Sequence, residues 1–192
     1  ALERALRLYN GKALINSVNG KQEVMDQVFP LVQKYGGVVV ALTLDEDGIP
    51  DTAEGRFRIA EKIVAEAATY GIAKHDILID ALTMTISTGA QAALVTLETV
   101  RRVTEELQMG TVLGVSNISF GLPKREIVNA SFFTMALQSG LSAAIINPNA
   151  AAMMNAYYAF RALTARDEQC AAYIAQYGGE AASVSAATAP SA

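Results

Sequence analysis

The sequence predicts an α/β fold built on a parallel sheet, and three observations point that way. Short apolar runs without alternation recur at residues 13–18, 38–44, 77–82, 112–115 and 144–146. Longer stretches between them carry apolar residues at a spacing of three to four. Asn or Asp stands where most of the runs give out. Unbroken runs suit strands buried on both faces of a sheet, and strand–helix alternation is what parallel pairing requires.

Taken in order, the chain opens on helical pattern at Ala1-Leu2-Glu3-Arg4 and enters the first run at residue 13. The next stretch is helical, with Pro30 inside it as a kink or restart, since proline removes a donor and crowds the preceding turn. The second run ends in Asp45, Glu46 and Asp47, which Gly48 and Pro50 mark as a turn. Asp51 and Glu54 follow as a helix start, and Phe57, Ala60, Ile63, Val64 and Ala67 form its apolar stripe. Leu94, Leu97, Val100, Val103 and Leu107 form the stripe that follows the third run. Lys124, Arg125 and Glu126 begin another helix. Met153, Met154, Tyr157 and Tyr158 read as packing, and residues 165–177 as a last helix. Gly36, Gly71, Gly110 and Gly140 are expected to end helices in left-handed backbone. Residues 1–177 thus form one domain, and residues 178–192, small and polar, form a tail or linker.

Composition narrows the function. Of 192 residues, 52% are hydrophobic and 18% charged, enough apolar mass for one large core. Net charge is −4 with scattered cations, so a nucleic-acid partner is not expected. No run is long enough for a membrane span, and no secretory signal is visible, so a cytoplasmic location is expected. Cys170 is the single cysteine, which excludes an internal disulfide and a cysteine-built zinc site; it reads as a packing residue on a helix. His75, the single histidine, reads as a surface residue.

Parallel α/β folds bind ligands at the carboxyl ends of their strands. A doubly wound dinucleotide binder would carry G-x-G-x-x-G after its first strand, and Ser17-Val18-Asn19-Gly20-Lys21 lacks it, which favours a barrel. Asn16, Asp80, Asn117 and Asn147 fall where runs end. Asn16, Asp80 and Asn117 admit two readings: turn and cap residues, or a converging set of donors and acceptors for a mixed heterocycle such as a pterin.

Three segments carry a resemblance: Leu14-Ile15-Asn16-Ser17-Val18-Asn19-Gly20; Ala41-Leu42-Thr43-Leu44-Asp45 through Gly48-Ile49-Pro50; and Thr111 through Pro123, with Ser116-Asn117-Ile118-Ser119-Phe120-Gly121-Leu122-Pro123 the most specific. They resemble the pterin-binding domain of cobalamin-dependent methionine synthases and, more loosely, the methyltetrahydrofolate–corrinoid protein methyltransferases. The likeness runs from about Leu2 to Tyr177. It implies a partial TIM (β/α)8 barrel of the dihydropteroate synthase-like kind: strands four to eight with their helices, without the first three β-α units. It implies that Asn16 and Asp80 bind the pterin, that Asn117 binds it and reaches N5 as the catalytic residue, and that Arg125 lies near the folate. Where the family usually has Asp-Pro, this chain has Asp80-Ala81.

The activity so implied is methyl transfer from 5-methyltetrahydrofolate to a cobalamin or other corrinoid on another domain or protein, in methionine synthesis. No metal is expected on this chain. Two rivals stand beside it. A dihydropteroate synthase would need a strand-seven lysine and a late Ser-x-Arg phosphate clamp, and neither stands at a matching place. A non-catalytic fragment, or a homodimer formed through unpaired sheet edges, is the other.

Overall fold

A computed structural model describes residues 1–178, so all but the first residue of the expected tail lies outside the described residues. The chain opens with α1 (Leu2–Leu8) and continues β1 (Leu14–Asn19), α2 (Gln22–Tyr35), β2 (Val38–Leu42), α3 (Ala53–Thr69), β3 (Ile77–Asp80), α4 (Ala92–Glu105), β4 (Gly110–Gly114), α5 (Arg125–Gln138), β5 (Ala143–Ile145), α6 (Ala151–Leu163) and α7 (Ala171–Tyr177). The five strands pair in parallel in the order of the sequence. Each crossover returns on the same side, so consecutive helices pack on one another over a single face of the sheet. That is the winding of a β/α barrel, not of a doubly wound sheet.

Side chains of alternate strand residues therefore meet different surroundings. Ile15, Val18, Val39, Ala41, Ile77 and Ile79 face the helices and pack with Met25 and Phe29 of α2 and Ala60 and Ile63 of α3. Leu113 does the same against Leu97, Val100, Phe132 and Phe133. Burying one such side chain stabilises by about 1.5–3 kcal/mol, so these two clusters hold the layers together. The opposite face, with Asn16, Val40, Leu78, Asp80 and Val112, carries no helix among the described residues. Leu14 and Ile145 on it are 59% and 53% exposed. The expectation that the strands are buried on both faces thus holds for Val40 and Val112 but fails at the two edge strands.

Further expectations need correction. Leu94 is 56% exposed although it fits the α4 stripe; in the first turn of α4 it is Ala93, not Leu94, that packs against the core. Gly110 opens β4 instead of ending a helix; Gln108 takes the left-handed conformation there, at φ 54°. The last helix begins at Ala171, not 165: Ala165 is left-handed, and the Asp167 carboxylate accepts from the N–H groups of Ala172 and Tyr173, fixing the later start. Cys170 is exposed at that start, not buried as a packing residue on a helix. Pro30 lies within α2 without dividing it. Thr52 caps α3 by accepting from Gly55 N at 3.1 Å, worth about 1 kcal/mol.

Candidate active site

The carboxyl ends of the strands gather the polar residues. In β1 the register shifts between Asn16 and Val18: Asn16 lies beside Val40, and Asn19 beside Leu42. The bond between Asn16 and Ser17 is cis. Leu42 in turn lies beside Asp80, and Asp80 beside Val112. Residues in register share a face, so Asn16, Asn19 and Asp80 all stand on the face away from the helices. Asn19 is level with Asp80 and Asn16 is one pleat deeper. With two strand spacings and one pleat between them, the Cα atoms of Asn16 and Asp80 are about 12 Å apart, a span that a bicyclic ring and two side chains can bridge.

Asp80 is the electrostatic centre of this rim. Its Oδ1 accepts from Leu82 N at 2.8 Å, and nothing among the described residues donates to Oδ2. Burial pushes its pKa up from an ordinary 3.8 to about 6, against the opposing pull of the Leu82 N–H and of the Arg56 guanidinium. A carboxylate poised in this way gains from a ligand that brings N–H donors. Ala81 keeps the backbone ordered without the family's proline: it is fully buried, and its carbonyl accepts from Arg56.

Asn117 sits in a single 3-10 turn, Val115–Ser119, that β4 runs into. Its side chain is exposed, and neither its amide nor that of Asn16 has a partner among the described residues. The turn is held on two sides. From α5, Arg125 donates to Ser116 O at 2.7 Å and Ser119 Oγ at 2.9 Å and stacks on Phe120, 4.4 Å from its centroid. From the loop after β3, Ile86 N donates to Ile118 O, and the Thr85 and Ser87 hydroxyls donate to Phe120 O, each at 2.8 Å. Arg125 thus spends donors on the turn that carries Asn117. Asn147, in the loop after β5, accepts from Asn149 N, which is turn chemistry. Asp45 and Gly48 exchange backbone bonds as a turn, and His75 is solvent-exposed at 80%.

Sequence reasoning missed Arg56 and the Thr85–Ser87 clasp. A signal for Arg56 existed: it falls on the apolar face of α3, one turn before Ile59 and Ala60 and two before Ile63, where a charge calls for an explanation. The clasp had no signal, because Thr and Ser in a loop read as ordinary loop residues.

A family model described as pterin binding enzyme matches residues 1–147. The chain belongs to the pterin binding enzyme family. Within reach of this family, the methylcorrinoid:tetrahydrofolate methyltransferase of Eubacterium limosum is 32% identical over 177 residues, covering 90% of this chain and 65% of that protein. The methionine synthase of Mycobacterium tuberculosis is 35% identical over 167 residues, covering 80% of this chain and 14% of that one. The chain therefore spans under two thirds of either relative. Among solved structures, dihydropteroate synthases of Clostridium difficile and Yersinia pestis superpose with TM-scores of 0.62 and 0.58. They are 18% and 13% identical, cover 84% and 85% of this chain, and are themselves covered to 63% and 76%. These structural likenesses establish the fold, a partial β/α barrel. Among the described residues, no helix is long and apolar enough to cross a membrane.

Proposed function

We propose that this chain binds 5-methyltetrahydrofolate at the rim formed by Asn16, Asp80 and Asn117, and that its N5 methyl group passes to a corrinoid carried by another domain or protein, as a step of methionine synthesis in the cytoplasm. Residues 1–177 act as the pterin-binding domain and residues 178–192 as its tether. The observation that carries the reading is the half-buried Asp80 carboxylate with one oxygen unspent, flanked on the same face by the unpaired Asn16 amide. The pterin's ring N–H and amino group would donate to Asp80, and Asn16 would fix the ring's position.

Asn117 takes the chemical role. When the N5–methyl bond breaks, its electron pair stays on N5, which becomes more basic. The Asn117 amide donates a hydrogen bond that strengthens as that pair develops, and so stabilises the transition state more than the bound substrate. An amide does not protonate N5, so the proton comes from water. Arg125 would hold the Asn117 turn and flank the folate. The relatives' names, methylcorrinoid:tetrahydrofolate methyltransferase and methionine synthase, support this chemistry over that of the dihydropteroate synthases, whose likeness is one of fold.

The experiment is a pair of measurements on wild type and Asn117→Ala: 5-methyltetrahydrofolate affinity by calorimetry, and methyl transfer to free reduced corrinoid in a single turnover. Asn117→Ala is expected to retain affinity within about threefold and to lose about 100-fold in transfer. Wild type with no folate affinity would overturn the proposal and favour the non-catalytic fragment.

A further inference from the structure

A buried arginine that meets no carboxylate directly needs a reason to be there. Arg56 of α3 is 3% exposed. Its Nε donates to Pro50 O at 2.9 Å, and one terminal nitrogen donates to Ala81 O at 2.8 Å and Leu82 O at 2.7 Å. The Thr96 hydroxyl of α4 also donates to Leu82 O, at 3.1 Å. The Ala81 and Leu82 carbonyls belong to the turn by which the chain leaves β3, and Leu82 holds a left-handed φ of 59° there. A leucine in that conformation costs about 1 kcal/mol or more, so the turn persists only where its surroundings impose it. The result of the turn is the Leu82 N–H aimed back at Asp80 Oδ1.

We infer that Arg56 is a positioning residue for pterin recognition: its guanidinium clamps the Ala81–Leu82 carbonyls, which aims the Leu82 N–H at one Asp80 oxygen and leaves the other turned to the ligand. The inference rests on the pterin reading for its ligand, but not for its geometry. Arg56 is also the charged group that acts on Asp80 among the described residues. The strands beside Asp80 offer Leu42 and Val112, and α4 offers Thr96, all uncharged; Asp51, in the loop before α3, acts on the guanidinium itself. Arginine suits the task because its rigid planar fork reaches several acceptors at once, where a lysine reaches one or two along a flexible stem.

The test uses the full chain with 13C-labelled aspartate, following the Asp80 carboxyl resonance against pH in Arg56→Lys and Thr96→Val. Arg56→Lys keeps a cation but loses the fork; Thr96→Val loosens the same turn more mildly and carries the test where the lysine variant does not fold. The Asp80 midpoint, about 6 in the wild type, is expected to climb by about 1 pH unit in Arg56→Lys and by less in Thr96→Val. Affinity for 5-methyltetrahydrofolate falls in the same order, and the loss narrows as rising pH restores the carboxylate. Arg102→Met is the control: it removes a stacking contact on Phe57 and pairs with Glu54 and Glu106 on the same two helices without touching the turn. An unchanged midpoint in the folded variants, or an equal climb in Arg102→Met, overturns the inference. A climbing midpoint with no folate binding in any form upholds the role of Arg56 and overturns the pterin reading.

Discussion

The amide of Asn117 lies over Gly114: a Cβ placed on Gly114 would come within 3.2 Å of Asn117 Nδ2. Gly114 has φ −76° and ψ 83°, which an alanine can adopt, so the substitution acts through that contact and not through backbone strain. Gly114→Ala is expected to unfold in urea within about 1 kcal/mol of wild type, since the amide tip can swing away. On the role proposed for Asn117, the displaced amide then reaches N5 less well. Methyl transfer in a single turnover is expected to fall more than folate affinity does, and equal losses in both would contradict this use of Gly114.

On the proposed pterin reading, Asp80 makes stability and binding oppose each other. Its carboxyl titrates near 6 in the fold against an ordinary 3.8. Between those values the folded protein holds the extra proton, so stability declines as pH climbs through that window and stays lower above it. The cost of the charge above pH 6 is at most about 3 kcal/mol. Asp80→Asn keeps an acceptor for Leu82 N and removes the charge. Its urea midpoint is expected to exceed wild type at pH 8 and to match it near pH 4, while folate affinity is lost. A variant that is less stable at both pH values would refute the assignment.

The Asn117 turn depends on the neighbouring loop. Thr85→Val with Ser87→Ala removes both hydroxyl donors to Phe120 O. A loss of about 1 kcal/mol is expected. Amide hydrogen exchange is expected to quicken at Phe120 and Leu122, whose N–H groups close the turn, while α2 stays protected. Uniform quickening across the chain would mean that the clasp is no local device.

Gly20 marks the closest approach of backbones at the rim. Its N–H donates to Leu44 O at 2.7 Å, and an added Cβ would stand 2.9 Å from that same oxygen and 2.7 Å from Ile59 Cγ2. Backbone cannot retreat as a side chain can, so Gly20→Ala is expected to cost about 2 kcal/mol in urea unfolding. A change under about 0.5 kcal/mol would show that the loop after β1 yields freely.

The strands were legible because each unbroken apolar run coincides with one of them to within two residues at either end, and polar residues were legible where those runs stopped. What stayed hidden was set by tertiary contact. Leu94 fits the period of α4, yet period says nothing of where a helix first meets its neighbour. The start of α7 is decided by the Asp167 carboxylate, which could as well have been a loop residue. The strand-end placement of Asn16 and Asp80 was legible; the placement of Arg56 was not, because its acceptors are carbonyls 6 to 26 residues away, and no side-chain pattern encodes a carbonyl. The helix-free face was invisible too, since Leu14 and Ile145 are as apolar as the residues behind them.

The irregularity in β1 carries a genetic consequence. Strict two-residue alternation would send Asn16 and Asn19 to opposite sides; the added residue at Ser17 brings them to the same one. Losing the Ser17 codon would leave Asn16, Val18 and Asn19 in plain alternation, with both asparagines still on the helix-free face and Val18 still among the helices. Homologous chains are therefore expected to tolerate loss of the extra residue at Ser17 but not a polar side chain at the place of Val18, which is fully buried.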